Sequence, residues 1–341
     1  MDTKSGCKND PIDFVIPWVD GNDPEWCKKR DSFQNAFGDA SNVRYRNWEN
    51  LCFWFRSVEK YAPWVRKIHF VSDGQIPKWL NTTHPKINIV NHRDYIPEKY
   101  LPLFNSNAIE AGIYLIPGLA EKFVYFNDDV FLTAPVAANY YYQNDKPCDT
   151  AVFTVKPVRR SGDMFTHIRC NDYDLLNKYF KKNEVVFQHP DKFFNPEYGL
   201  EFNLRNLINL CHFGGKFDGF HDLHVSIPYL KHEWEEVWAK EPNTLSNIRK
   251  YRFRNADTIS QWVYRYWRIC KGEFIPKRFT GKYFGVTEKT DIQKICNAIM
   301  DHTYTEICIN DEWMGEGYET ARNQINEAFL KTLPEKSRFE I

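Results

Sequence analysis

Short apolar runs that stop abruptly in acids or amides punctuate the first half of the chain. Ile12-Asp13-Phe14-Val15-Ile16-Pro17-Trp18-Val19 breaks into Asp20-Gly21-Asn22-Asp23-Pro24. Lys67-Ile68-His69-Phe70-Val71-Ser72 closes on Asp73-Gly74-Gln75, and Ile87-Asn88-Ile89-Val90 runs into Asn91-His92-Arg93-Asp94. Lys122-Phe123-Val124-Tyr125-Phe126 delivers Asn127-Asp128-Asp129 before the apolar run resumes at Val130. Runs of this length, bounded by Gly, Asn, Asp and Pro, predict strands. Their near-continuous apolar character predicts a sheet covered on both faces.

Between the strands the spacing becomes helical. Trp48, Leu51, Cys52, Phe55 and Val58 make one stripe over residues 46 to 60. A further helix opens at Asn105-Ser106-Asn107-Ala108-Ile109-Glu110 and ends at Pro117-Gly118, with Asn107 and Glu110 spaced as in a capping box. A strand is expected over Thr150 to Val155, and helices near 173 to 182 and 200 to 211. Ile259, Trp262, Val263 and Tyr266 mark a helix led by Arg252 to Asp257. The class predicted is α/β: a mixed, mostly parallel sheet covered by helices, with a helical C-terminal portion. No repeat or low-complexity linker divides the chain, so residues 10–155 are expected as the α/β core and 156–341 as the portion completing the same unit.

Composition narrows the partners. The 45 Lys and Arg balance the 45 Asp and Glu, which argues against a nucleic-acid binder and a polybasic membrane protein. No apolar stretch approaches the ~18 residues of a membrane span, and the first residues lack the apolar core of a signal peptide. Nine cysteines, an odd number without Cys-x-x-Cys pairs, point to reduced thiols in a cytoplasm. The sequon Asn81-Thr82-Thr83 then carries no meaning. Aromatics at 16% are enough for a core and a sugar-stacking cleft.

The candidate chemistry gathers where strands end. Asp20, His92, Asp94 and the Asp128-Asp129 pair would all stand at one sheet edge, where α/β folds bind ligands. Paired acids there suit a divalent cation that in turn binds phosphate, while Asn-Asp is also ordinary turn chemistry. Adjacent side chains of an extended chain point to opposite faces, so Asp128 and Asp129 reach one spot only if the strand breaks. Arg44 and Arg46 near a helix start, and Arg252 and Arg254 near another, suit an anionic partner. His221 and His224 lack the acid-bearing pattern of a zinc site. Ile307-Cys308-Ile309-Asn310-Asp311 repeats the apolar run ending in Asn-Asp.

Together these stretches resemble the Stealth family of sugar-phosphate transferases. Trp18-Val19-Asp20-Gly21-Asn22-Asp23-Pro24-x-Trp26 resembles its first block. The second is matched from Arg56-Ser57-Val58-Glu59-Lys60-Tyr61-Ala62-Pro63-Trp64-Val65 through His92, Asp94, Phe104-Asn105-Ser106 and Ile109-Glu110 to Asn127-Asp128-Asp129. His224, Lys231, Arg254 and Asp257 resemble the third, and Ile307 to Asp311 with Leu333 to Glu340 the fourth. Ser226 stands where the third block usually has Pro, and Arg252 and Arg254 compete for its arginine.

The resemblance implies a glycosyltransferase-A-like fold and transfer of a sugar-1-phosphate, such as a HexNAc-1-phosphate, from a UDP-sugar donor to a hydroxyl of a glycan acceptor. A phosphodiester forms and UMP leaves, in capsular or related polysaccharide synthesis by a cytoplasmic bacterial enzyme, with peripheral attachment to the inner membrane left open. It implies Mg²⁺ or Mn²⁺, expected on Asp128 or Asp129 with Asp311 and with Asp20 beside them, and a catalytic set of Asp20, His92, Asp129, His224 and Arg254. Substrate contacts are expected from Arg44, Asn105, Glu110, Lys231, Arg252 and Asp257. Either histidine or a carboxylate would serve as base. The rival readings are a conventional glycosyltransferase releasing UDP and a noncatalytic carbohydrate-binding protein.

Overall fold

The computed structural model describes residues 10–33, 42–155, 163–212 and 215–341. The strands are β1 (Ile12–Pro17), β2 (Ile68–Ser72), β3 (Ile87–Asn91), β4 (Lys122–Tyr125), β5 (Val130–Leu132), β6 (Tyr142–Gln143), β7 (Lys146–Asp149), β8 (Ile227–Leu230), β9 (Ile275–Pro276), β10 (Gly281–Val286) and β11 (Glu306–Asp311). The main sheet has the order β3-β2-β1-β4-β8. Its first four strands are parallel neighbours and β8 alone runs antiparallel. This is the mostly parallel α/β sheet expected from the apolar runs.

Alternation along the strands divides the core into two. Val15, Val71, Phe123 and Tyr125 face one cluster of buried side chains, while Phe14, Ile16, Phe70, Val124 and Phe126 face the other. The helix Leu51–Tyr61 packs Phe53, Trp54, Phe55 and Val58 into the second cluster. Asp13 interrupts β1 at a buried position, where Arg66 and His69 reach it at 2.5 and 2.9 Å. Burial opposes the Asp13 charge, but the His69 and Arg66 hydrogen bonds outweigh it and hold the carboxyl below its usual range.

Two ladders tie the chain's halves together. β4 pairs with β8, and β5 pairs with β11 in a second sheet of order β10-β11-β5. A third small sheet joins β6, β7 and β9.

Several boundaries differ from those predicted. The strand expected at 150–155 makes only a bridge between Phe153 and Phe220, and the ladder lies earlier, in β7. The helix opened by Asn105 is short, Ser106–Glu110, because the chain tightens into a 3-10 turn at Ile113–Leu115. The helix expected from 46 starts at Leu51, since Glu49 adopts φ of 55°. The helix led by Arg252 starts only at Trp262, and the expected helices near 173 and 200 are Met164–Tyr179 and Gly199–His212.

Candidate active site

Topology brings four segments to one place. β1 and β4 are parallel neighbours, so the residues after their C-terminal ends share an edge. β8 is antiparallel to β4, with Ile227 opposite Tyr125, which puts the residues before β8 beside the residues after β4. β11 lays Cys308 opposite Val130, and Ile309 donates its backbone N–H to the Asp129 carbonyl at 2.8 Å.

The outcome is a tight cluster. Ligand atoms of Asp129, His224 and Cys308 all lie within 4.8 Å of one another, the one group of possible metal donors among the described residues. The Cys308 thiol donates to Asp129 Oδ2 at 3.3 Å. Asp129 Oδ1 is buried and accepts no hydrogen bond among the described residues. A desolvated carboxylate oxygen without a donor is costly, and a cation removes that cost. Burial, with the Asp129 charge beside it, pushes the Cys308 thiol well above its ordinary range. The protonated sulfur is therefore a donor to Asp129 and a poor partner for a hard cation.

Asp128 lies in the turn that follows β4 and is exposed, with much protein nearby. Loss of water around it, with the Asp129 carboxylate next door, pushes it up to about 7. Arg254, close enough for its charge to act on His224 and Glu110, donates to Ser106 Oγ at 2.5 Å. Ser106 and Tyr125 both hydrogen-bond Glu110, whose carboxyl is raised by burial against the counter-effect of Arg254.

His224 sits on a loop fixed from behind. Asp222, two residues earlier, meets Arg169, Arg265 and the Tyr266 hydroxyl, the last at 2.9 Å. Arg265 and Arg268 also hold buried Asp149, each at 2.7 Å. The loop then turns through φ of 51° at His224, a left-handed conformation that costs a non-glycine residue about 1 kcal/mol or more. Asn127 Nδ2 lies 3.0 Å from His224 Nε2, and Tyr283 packs edge-on to the imidazole with ring centres 5.7 Å apart. Burial lowers the His224 pKa; Asp129 opposes this, and Arg169 and Arg254 add to it. The imidazole is thus held neutral.

Of the residues expected from sequence, Asp128, Asp129, His224, Glu110 and Arg254 come together here. Asp20 stands at the adjoining strand end, where its carboxylate accepts from the Asn22 backbone at 3.0 Å and from Asn47 at 3.2 Å. Gln75 brackets the same turn by contacts to the Asp20 backbone and Asp23.

The others lie apart. Asp311 is turned to the opposite face of β11, where Arg46 at 3.1 Å, Trp48 Nε1 at 3.0 Å and the Trp313 backbone at 3.0 Å occupy its carboxylate. The reason is the period of two: Cys308 and Asn310 share one side, and Asp311 takes the other. Lys231 follows Leu230, which pairs with Lys122 at the start of β4, so it lies at the far edge of the sheet. His92 is buried at the end of β3 and lowered to about 4 by burial, with Asp73 and Lys29 nearby. Asn105 caps the Ser106 helix and donates to the Tyr251 carbonyl at 3.1 Å. Arg252 donates to the Pro102 carbonyl at 2.7 Å over the Phe33 ring. Asp257 and Arg44 are exposed. Sequence reasoning missed Cys308 and Tyr283; the alternation in Ile307-Cys308-Ile309-Asn310 was the available clue to the first.

Known proteins share this chain's sequence along nearly its whole length. Residues 10–38 match Stealth protein CR1, conserved region 1, and residues 44–149 match Stealth protein CR2, conserved region 2. A capsular polysaccharide phosphotransferase WcwK of Streptococcus pneumoniae is 39% identical over 335 residues, covering 96% of this chain and 98% of its own. The exopolysaccharide phosphotransferase cps2G of Lactiplantibacillus plantarum is 37% identical, covering 96% of each. The receptor polysaccharide phosphotransferase WefC of Streptococcus oralis is 35% identical, covering 97% of this chain and 99% of its own. Among solved structures, the galactosyltransferase LgtC aligns over 96% of this chain and 98% of its own at 11% identity and a TM-score of 0.41, too loose a likeness to bear argument. The two conserved regions and the full-length relatives establish that this chain belongs to the Stealth family.

Proposed function

We propose that the protein transfers a sugar-1-phosphate, a hexose- or HexNAc-1-phosphate, from a UDP-sugar to a hydroxyl of a glycan acceptor, releasing UMP, in capsular or related polysaccharide synthesis. The observation that carries this reading is the grouping of Asp129 with His224 at the end of β4, Asp128 adjoining the first and Arg254 near the second, in a chain whose full-length relatives are polysaccharide phosphotransferases.

Phosphoryl transfer needs alignment and charge stabilisation more than covalent chemistry. Asp129, through its unpartnered Oδ1, and Asp128 would hold Mg²⁺ or Mn²⁺, with His224 in reach as a further donor. Such a cation, when bound, neutralises the diphosphate. Arg254, held by Ser106 and near His224, offers a guanidinium fork suited to phosphate oxygens. His224, if it stays off the cation, is neutral and takes the proton of the acceptor hydroxyl. Asn127 and the anchored Asp222 orient its ring. Glu110 and Ser106 hold Arg254 in place.

A cytoplasmic setting goes with this donor and with eight described cysteines that are all unpaired. No helix of the described residues is long and apolar enough to cross a membrane.

The test is incubation of the full chain with UDP-GlcNAc, UDP-ManNAc, UDP-glucose or UDP-galactose, a glycan acceptor and Mg²⁺, with separation of the nucleotide products. Metal-dependent UMP release is expected. UDP release would identify a conventional glycosyltransferase, and saccharide binding without nucleotide turnover a carbohydrate-binding protein.

A further inference from the structure

The helix Gly199–His212 is apolar on two sides. Its buried side carries Phe202 and Leu210 against the core together with two amides: Asn206 accepts from the Phe153 backbone at 2.7 Å and donates to the Ala151 and Phe193 carbonyls at 2.9 and 2.6 Å. Buried Asn209 accepts from the Lys182 ammonium at 3.2 Å. The solvent side carries Leu200, Leu204, Leu207 and Ile208, exposed by 77%, 47%, 48% and 55%. These positions, with exposed Cys211, follow the 3- and 4-residue spacing of one helical stripe. Leu200, Leu204 and Leu207 line a shallow groove with Phe194. A surface helix ordinarily carries one apolar face, and here Phe202 and Leu210 already supply it to the core; the second stripe faces water.

The stripe has the size and surroundings of an interface. Four half-exposed or more exposed aliphatic side chains amount to an apolar patch on the order of 400 Å², the scale that marks an interaction site on a monomer. A stable homodimer buries about 800 Å² per partner, somewhat over half of it apolar, so the stripe supplies the apolar centre and its rim the remainder.

The rim decides what the partner is. Glu201 and Arg205 flank the stripe on the same helix, 3.0 Å apart, and Arg278 approaches Glu201 at 3.9 Å. A lipid surface selects a rim of cations. A rim with both signs is complementary to itself under a two-fold axis, which can set Glu201 of one copy against an arginine of the other. We propose that this face is an isologous dimer interface, in which the Gly199–His212 helices of two copies of this chain pack stripe against stripe.

Sedimentation velocity of the full chain over a concentration series tests this. The wild type is expected as a dimer, and Leu204→Glu with Leu207→Glu as a monomer with unchanged near-ultraviolet dichroism. Leu204→Gln, milder at an exposed site, gives the same direction if the double variant folds poorly. A wild type that stays monomeric at every concentration overturns the proposal, as does a Leu204→Gln or Leu204→Glu/Leu207→Glu protein that folds and remains fully dimeric. Flotation of a monomeric wild type with phosphatidylglycerol vesicles, abolished by the same substitutions, would assign the face to lipid instead.

Discussion

The Cys308 thiol donates to Asp129 Oδ2 at 3.3 Å, across the β5–β11 ladder. That bond leaves Oδ1 as the free oxygen of Asp129 and fixes the direction in which it faces. Asp129→Asn should therefore lower Mg²⁺-dependent UMP release at least ~10²-fold with an unchanged melting temperature. Cys308→Ala should cost roughly 10-fold by loosening Asp129, and Cys308→Ser, which keeps a donor, much less. A Cys308→Ala enzyme as active as wild type would separate the thiol from the site.

Asp311 should behave in the opposite way to Asp129. Its carboxylate joins Arg46, Trp48 and the Trp313 backbone, so Asp311→Asn breaks an ion pair and weakens two further bonds. A loss of about 1–3 kcal/mol in urea unfolding is expected. Unchanged stability with abolished turnover would return Asp311 to the metal.

The two histidines at strand ends should separate cleanly. His92 is buried and neutral at the end of β3, where the charges that act on it are Asp73 and Lys29, themselves paired at 2.5 Å. His92→Asn should leave kcat within a few-fold of wild type in protein that folds, as judged by dichroism. His224→Ala should reduce kcat by roughly 10²-fold or more, the usual contribution of a positioned base. Equal losses in both would show that the β3 end belongs to the site.

Stability should carry the signature of Asp172. This buried carboxylate accepts from the Ser260 backbone and hydroxyl at 2.7 and 2.6 Å and is pushed up from 3.8 to about 7, chiefly by burial. Its native pKa exceeds its unfolded value, so the native state binds the proton more tightly. The contribution is fully present below about 3.8 and is lost as pH rises through about 7. Asp172→Asn, which cannot ionise, should flatten the fall in melting temperature between about pH 4 and about pH 7 relative to wild type. Parallel curves for the two proteins would remove Asp172 as the source.

Much of the site was legible because strands announce themselves and their ends. Apolar runs closing on Asp20, His92 and Asn127-Asp128-Asp129 are enough to place these residues at one sheet edge. They do so because a buried parallel sheet must be apolar along its length and polar only where it meets solvent. The helix stripes at Leu51–Val58 and Trp262–Tyr266 were read for the same reason, although their starts were not. Glu49 takes a left-handed turn, and Arg252 to Gln261 spends its polar groups on Pro102, Ser106 and Asp172 instead of on a helix.

By itself the sequence determined the α/β class, the family and the acids at the end of β4, all properties of local pattern and order along the chain. Only tertiary structure decided which distant residues meet them. The antiparallel direction of β8 sends His224 to the acids and Lys231 to the opposite edge, a choice that pairing makes and composition does not. The register of β11 against β5 turns Cys308 toward Asp129 and Asp311 toward Arg46. A shift of one residue would exchange them, because side chains alternate across a strand, and register is set by partners far away in sequence.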